Sequence, residues 1–216
     1  MLILESNPNS MEAEAYKTIR TYIEYSSVRS RIKTLLITSP DSKDGRSTVC
    51  GNLGLAFSEY GKSVIILDCD FRKPSLHKLF NIPNNLGLID IIKDPNKLED
   101  AINYYNSNIS IITSGTIQPN PSEILGSEKM DNLLKVLSGK YDIILLDSPP
   151  IGVVTDAQVL STKTDGTIMV VMAEKTKSKR VIEAINLLKN VNVNIMGIVL
   201  NGVKSLDDIY MKYYKK

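Results

Sequence analysis

The sequence contains few of the residues that build histidine-dependent, disulfide-bonded or thiolate-metal sites. Its 216 residues include one histidine and two cysteines. A single histidine, His77, completes neither a Ser-His-Asp hydrolase site nor a histidine metal site. Cys50 and Cys69 lie in apolar surroundings and lack the spacing of a disulfide framework or a metal-ligand pair, so we expect them to be reduced, buried and structural.

Long apolar runs and an excess of one charge are also missing. The runs at 143–146 and 168–173 are far shorter than the roughly 20 residues that cross a bilayer. The amino terminus lacks the basic start and apolar stretch of a secretory signal, so we expect a cytoplasmic location. The 26 basic and 24 acidic residues leave a net charge of +2. This balance argues against nucleic acid as a partner.

What the sequence does contain is a series of short apolar, β-branched runs. They cover 34–38, 63–67, 109–113, 143–146, 168–173 and 196–200. Runs that are apolar on both faces are typical of parallel strands covered by helices on either side. Apolar residues at helical spacing follow the first run and precede the last. The order predicts a single α/β domain over 1–216, with a doubly wound, mostly parallel sheet flanked by helices on both faces and ligands at the carboxyl ends of its strands.

The segment after the first run, 38–48, has the position and composition of a phosphate-binding loop. Its sequence is TSPDSKDGRST, and it leads into a predicted helix. Gly45 suits a backbone that turns its N–H groups toward phosphate, and the Ser47 hydroxyl suits magnesium. The usual pattern has lysine where Arg46 stands and glycine where Pro40 stands, and a planar guanidinium does not present the point charge of an ammonium. From these residues alone, a phosphate loop and an ordinary connection both remain open.

Acidic residues close two of the apolar runs. Asp68 and Asp70 follow the second run, and Asp147 follows the fourth. A carboxylate at the end of a buried strand is costly to desolvate unless a cation or hydrogen-bond donor meets it. Magnesium on a bound nucleotide is such a cation. The alternative is that Asp68 and Asp70 form ion pairs with Arg72 and Lys73.

Together these motifs resemble the bacterial tyrosine kinases of capsule and exopolysaccharide synthesis, a P-loop family. Residues 65–72 are similar to the family's second Walker motif, and 144–150 to its Walker B motif. The segment 115–125 resembles its N-P-[ST]-E-L stretch. Residues 14–20 resemble the E-x-x-R-x-x-R motif through which members assemble into rings, with Lys17 in place of the first arginine.

The resemblance implies an ATP-dependent protein-tyrosine kinase with ATP and Mg²⁺ as cofactors. The implied catalytic residues are Asp68, as the proton-abstracting base, Asp70 and Arg46. The implied nucleotide contacts are Lys43, Asp44, Gly45, Arg46, Ser47, Thr48 and, toward adenine, Asn201. The implied metal-binding residues are Ser47, Asp70 and Asp147. The implied oligomer interface consists of Glu14, Lys17 and Arg20.

The carboxyl terminus matches the family's autophosphorylation cluster. Tyr210, Tyr213 and Tyr214 lie in a tyrosine-rich tail that we place at 205–216. The resemblance implies that these tyrosines accept phosphate from a neighbouring subunit. Each phosphate adds between one and two negative charges, which would repel the tail from a site full of phosphates and carboxylates. The alternative is that the tyrosines pack a final helix against the core, because their spacing also fits a helix.

The resemblance also implies partners. These are a transmembrane polysaccharide co-polymerase or activator that recruits the chain to the inner face of the membrane, further copies in a ring, and a tyrosine phosphatase. The basic run at 175–180 is either a solvated loop or a docking surface for an acidic partner. Two rival functions remain: a nucleotide-binding scaffold whose turnover is weakened by the substitutions Arg46 and Lys43, and an ATPase switch of the partitioning type. The switch pattern has a second lysine where this chain has Asp41, which argues against it.

Overall fold

The computed structural model describes residues 2–26, 32–116 and 120–203. The strands there are β1 (Thr34–Thr38), β2 (Val64–Asp68), β3 (Asn103–Tyr104), β4 (Ile109–Ile112), β5 (Ile143–Asp147), β6 (Gly166–Met172) and β7 (Ile195–Asn201). The α-helices are α1 (Ile3–Ser6), α2 (Met11–Ser26), α3 (Arg46–Glu59), α4 (Leu76–Leu79), α5 (Leu88–Lys93), α6 (Leu98–Ala101), α7 (Pro121–Gly126), α8 (Glu128–Lys140), α9 (Asp156–Ser161) and α10 (Ser178–Lys189), with a 3₁₀ turn at Pro95–Lys97. No helix in these ranges is long and apolar enough to cross a membrane.

The strands form one sheet in the order β3-β4-β2-β5-β1-β6-β7. Every neighbouring pair is parallel except β3 with β4. The predicted doubly wound, mostly parallel α/β fold is therefore confirmed. Because β1, β2 and β5 are adjacent at the centre, the loops that leave their carboxyl ends meet at one place on the sheet edge.

The sheet is buried on both faces, as the apolar runs require. One face packs against α1, α2, α3 and α4, and the other packs against α5, α8, α9 and α10. All residues of β1, β2 and β5 are buried. The core therefore fixes the directions of these strands and, with them, the positions of the loops and acids at their ends.

The six predicted strands are present; the first has the predicted ends, and the ends of the others differ from the prediction by at most two residues. The second one ends at Asp68 rather than Leu67, so that this acid belongs to the strand itself. The antiparallel edge strand β3 was not predicted, because two residues are too few to show a periodic pattern. The proposed tail at 205–216 lies outside the described residues.

Candidate nucleotide-binding and catalytic site

The two strand-ending acids lie side by side at the carboxyl edge of the sheet. Asp68 of β2 is the direct neighbour of Asp147 of β5 in the parallel register. Ile37, near the end of β1, pairs with Asp147 on the other side. The segment that leaves β1 therefore starts next to Asp147, with Asp68 one strand further along the same edge of the sheet.

Asp147 is a buried carboxylate without a local partner. Its side chain is 1% exposed, and neither carboxylate oxygen has a hydrogen-bond partner among the described residues. Burial, reinforced by the Asp68 carboxylate, raises the pKa of Asp147 to about 8, against the influence of Arg46 and Ser47. The Ser47 hydroxyl is itself paired with the Ser75 hydroxyl at 2.6 Å. An unpaired buried acid is costly, and a cation would remove most of that cost.

Asp68 is held by backbone N–H groups. Its Oδ1 accepts from Asp70 N at 3.2 Å, and its Oδ2 accepts from Ser75 N and Leu76 N, each at 3.0 Å. Burial nevertheless raises the pKa of Asp68 to about 6, because it outweighs these hydrogen bonds. Asp68 thus fixes the start of α4 and remains more basic than an exposed aspartate.

Asp70 faces the phosphate loop rather than the cations next to it in sequence. Its Oδ2 lies 3.3 Å from Arg46 Nη2, and its Oδ1 accepts from the backbone N–H of Lys73 at 2.9 Å. Arg72 instead binds the buried Asp156 through two hydrogen bonds, of 3.0 and 3.1 Å. The alternative in which Arg72 and the ammonium of Lys73 neutralise the acids of this motif is therefore wrong.

The phosphate loop has the backbone of an anion cradle. Lys43 and Gly45 have positive φ, at 64° and 92°, and Asp44 between them does not. When successive residues alternate between left-handed and right-handed backbone conformations, their N–H groups point toward the same concave side of the loop. The first N–H that bonds back within α3 is that of Val49, to Gly45 O at 2.9 Å, and Gly45 caps the helix without a side-chain hydrogen bond. The N–H groups of 45–48 therefore have no acceptor within the helix. These groups include the first turn of α3, where a helix leaves its N–H groups free for an anion.

Arg46 lies across this loop and is fully engaged with the protein. Its Nε donates to Ser148 O at 2.7 Å, its Nη1 donates to Ser39 Oγ at 2.8 Å and to Asp41 O at 3.3 Å, and its Nη2 reaches Asp70. The guanidinium therefore connects the phosphate loop to the segments that follow β2 and β5.

Asn201, at the end of β7, contacts the phosphate loop directly. Its Nδ2 donates to Asp44 O at 3.0 Å. A Cβ built on Gly45 would lie 2.0 Å from the same Nδ2. Glycine is thus required at position 45 both for its conformation and for the close approach of Asn201. Thr48, in the first turn of α3, accepts from Asn52 Nδ2 through its carbonyl at 2.8 Å.

The basic run at 175–180 binds the phosphate loop of its own chain. Lys175 Nζ donates to Ser42 O, Lys43 O and Asp44 Oδ1 at 2.9, 3.1 and 3.1 Å. Arg180 forms two hydrogen bonds to Asp41 Oδ1, at 3.1 and 2.8 Å. Sequence reasoning missed these contacts. The only signal was the opposite charge of two segments that lie far apart in the chain.

The residues of the proposed ring motif lie on α2, and their contacts do not involve the phosphate loop. Glu14 and Lys17 pair with each other at 2.7 Å. Arg20 donates to Ala56 O at 3.2 Å and lies over the Tyr60 ring, 4.5 Å from its centre. These intramolecular contacts leave the predicted oligomer interface a prediction.

The donor set at the sheet edge fits a magnesium ion that arrives with a nucleotide. Magnesium prefers oxygen ligands and usually binds through one or two carboxylates together with substrate phosphates. Asp147 offers two unpaired oxygens, and Ser47 lies in the first turn of α3 next to the cradle. Within the described ranges, no group of three His, Cys, Asp or Glu side chains forms a metal site on its own.

The parallel sheet, the cradle between β1 and α3 and the acid-ended neighbouring strands define a P-loop NTPase. The family model described as ParA, NUBPL iron-transfer P-loop NTPase, matches residues 32–206. Within this class, the chain belongs to the bacterial tyrosine kinase family.

Curated relatives and a solved structure support that assignment. Tyrosine-protein kinase YwqD of Bacillus subtilis (strain 168) is 35% identical over 214 residues, which cover 99% of this chain and 90% of the relative. Putative tyrosine-protein kinase CapB of Staphylococcus aureus is 35% identical over 215 residues, covering 99% and 94%. The kinase domain of the Escherichia coli tyrosine kinase ETK superposes with a TM-score of 0.91 at 28% identity, covering 95% of this chain and 81% of that one.

Proposed function

We propose that the chain transfers the γ-phosphoryl group of ATP to tyrosine and that its own Tyr210, Tyr213 and Tyr214 are the principal acceptors. The observation that carries this proposal is the buried, unpaired carboxylate of Asp147 beside the phosphate cradle. A cation–phosphate ligand satisfies the acid and the free N–H groups together. The choice of tyrosine as the phosphate acceptor rests on membership of the bacterial tyrosine kinase family.

In this proposal the described residues bind, orient and move a proton. The N–H groups of 43–48 hold the β and γ phosphates, and Ser47, Asp70 and Asp147 hold the magnesium. When bound, magnesium neutralises the charge that develops on the phosphoryl oxygens. Asp68 takes the proton of the tyrosine hydroxyl as it attacks, while ADP departs with the broken bond's electron pair. Its raised pKa suits a base, because proton affinity near neutrality favours transfer.

The setting of this reaction is also part of the proposal. The chain acts in the cytoplasm in capsule or exopolysaccharide synthesis and is recruited to the inner face of the membrane by a transmembrane co-polymerase or activator. Phosphorylation occurs between copies that assemble through Glu14, Lys17 and Arg20, and a tyrosine phosphatase reverses it. The +2 net charge gives no reason to add nucleic acid.

Labelled ATP tests the acceptor assignment. Purified protein incubated with Mg-ATP, with and without a membrane activator segment, should carry label that mass spectrometry maps to Tyr210, Tyr213 and Tyr214. A variant with all three changed to phenylalanine should lose most of the label, because phenylalanine lacks the attacking hydroxyl. Tyr104→Phe, at an exposed tyrosine of β3, is the control and should keep it. Label elsewhere, or none with the activator present, would contradict the proposal.

A second candidate function is a nucleotide-controlled switch, which the match to the ParA family model favours. Asp41, at the position of the switch-type second lysine, instead pairs with Arg180. That contact makes the switch the weaker candidate. Hydrolysis of ATP that changes the oligomeric state without labelling any tyrosine would support it over the kinase.

Arg46→Lys should increase phosphotransfer by about 10-fold or more, with at most a small change in ATP affinity. The guanidinium is bound by Ser39, Ser148 and Asp70, whereas a lysine cannot make all these contacts and is a compact charge for phosphate. Initial rates of tyrosine labelling and calorimetric ATP affinity measure the two effects.

Arg46→Met is the matched control for this change. It removes the charge altogether, so both the rate and the affinity should fall. If the lysine variant were no faster than the wild type, Arg46 would be an adapted part of the site, and the hypothesis that it weakens turnover would be wrong.

A further inference from the structure

The carbonyl groups of the phosphate loop are held on one side by two side chains from outside the loop. Lys175 Nζ donates hydrogen bonds to the carbonyl oxygens of Ser42 and Lys43, and Asn201 Nδ2 donates one to the carbonyl oxygen of Asp44. In a trans peptide, the carbonyl of one residue and the N–H of the next point in opposite directions. The N–H groups of Lys43, Asp44 and Gly45 are therefore turned away from Lys175 and Asn201, toward the concave side of the loop.

Lys175 also compensates a charge that would otherwise oppose phosphate binding. The Asp44 side chain is 0% exposed, although it lies within the loop that receives a polyanion. Its Oδ1 accepts from Lys175 Nζ and from Thr176 Oγ1, at 3.1 and 3.0 Å, and its Oδ2 accepts from the backbone N–H of Asp41 at 3.2 Å. Of the three groups that donate to the Asp44 carboxylate, only Lys175 carries a positive charge. Without it, a buried negative charge would stand beside the incoming phosphates.

The ammonium of Lys175 has no donor to spare for a ligand. Its three N–H groups match its three acceptors: Ser42 O, Lys43 O and Asp44 Oδ1. The side chain is 49% exposed at its outer surface, so it reaches the loop from the solvent side. It can act on a nucleotide only through the loop.

We propose that Lys175 is a positioning residue of the phosphate loop. It fixes the carbonyls of Ser42 and Lys43 on the outer side and neutralises Asp44, so that the N–H groups at 43–45 face the β and γ phosphates. Thr176 assists by holding the Asp44 carboxylate. The inference rests on the proposed binding of ATP and extends it to the loop that follows β6.

The test compares ligands that differ in their phosphates. Calorimetric affinities of the full chain for Mg-ATP, Mg-ADP and adenosine are measured for the wild type, Lys175→Met and Lys179→Met. Lys175→Met should bind ATP and ADP about 10-fold more weakly, as loss of a charge-assisted contact of moderate strength predicts. Its affinity for adenosine should be unchanged, because adenosine carries no phosphate. Lys179, an exposed lysine in the first turn of α10, should be neutral on substitution.

A double variant separates positioning from a general structural role. Lys175→Met/Asp44→Asn removes the buried charge together with its partner, and it should recover part of the lost ATP affinity. Equal weakening of ATP and adenosine, or wild-type ATP affinity in Lys175→Met, would overturn the inference. A wild-type chain that binds neither ATP nor ADP would instead overturn the proposed function.

Discussion

Asp147→Asn should make the nucleotide-free protein more stable and, at the same time, weaken its response to Mg-ATP. The carboxylate of Asp147 is buried without a partner, and a neutral amide of the same shape avoids the cost of desolvating a charge. We expect a gain of about 1–3 kcal/mol in the free energy of unfolding at neutral pH. For a chain of this size, that corresponds to a rise of roughly 2–10 °C in Tm.

The gain in the free energy of unfolding from Asp147→Asn should depend on pH. An aspartate in an unfolded chain has a pKa of about 3.9, and burial raises the pKa of Asp147 in the folded state to about 8. Between these values the folded state binds more protons than the unfolded state, so the wild type loses stability as the pH rises. The asparagine variant lacks this loss. Its advantage should be small near pH 4 and largest by about pH 8.

Thermal unfolding with and without Mg-ATP measures both effects. The wild type should be stabilised by Mg-ATP, whereas Asp147→Asn should lose about 10- to 100-fold in magnesium-dependent affinity or phosphotransfer. Asp142→Asn is the matched control, since Asp142 directly precedes the same strand at its other end. Asp142 accepts from Ser63 N and Oγ at 2.9 and 2.8 Å, which lowers its pKa. That variant should lose stability and keep its nucleotide response. An asparagine at 147 that destabilised the nucleotide-free protein would refute our account of the site.

Gly45→Ala should damage both the phosphate loop and the stability of the chain. Position 45 has a φ of 92°, and an added Cβ would lie 2.0 Å from Asn201 Nδ2. The left-handed conformation alone costs about 1–2 kcal/mol for a residue with a Cβ. The contact with Asn201 must also be relieved by moving the end of β7 or the loop. We expect ATP affinity to fall and the rate of phosphotransfer to drop by about 100-fold, the loss of rate that a 1 Å misplacement can cause.

Gly61→Ala isolates the backbone part of this effect. Gly61 has a φ of 81°, and nothing lies within 4 Å of its Cβ position. It should lose stability by a similar backbone cost and bind ATP as the wild type does. Denaturant unfolding and calorimetric ATP affinity measure the two quantities. If Gly45→Ala bound ATP normally, the loop would not be the phosphate cradle.

The strands and their acids could be predicted because local sequence patterns encode them. Runs that are apolar on both faces identify buried parallel strands, and an acid at the end of such a run is conspicuous. The register that places Asp68 beside Asp147 then follows from the parallel sheet.

Contacts between distant segments could not be predicted in the same way. Arg72 forms its ion pair with Asp156, whereas the sequence had suggested a pair with Asp68 or Asp70. Likewise, Lys175 and Arg180 looked like part of a solvated basic run, yet each contacts the phosphate loop more than 130 residues away in sequence. Charge alone allows many partners, and only the packing of β6 beside β1 selects these.

The sequence by itself determined that this chain is an α/β protein with acid-ended core strands, because burial leaves local signatures in the order of apolar and polar residues. Only the tertiary structure decided which charges meet. It left Asp147 without a partner, engaged Arg46 with the protein and placed Lys175 behind the loop. The physical reason is that an apolar pattern is visible in consecutive residues of the sequence. Ion pairs and hydrogen bonds instead need two groups within a few ångströms of each other, and the order of strands in the sheet decides which groups come that close.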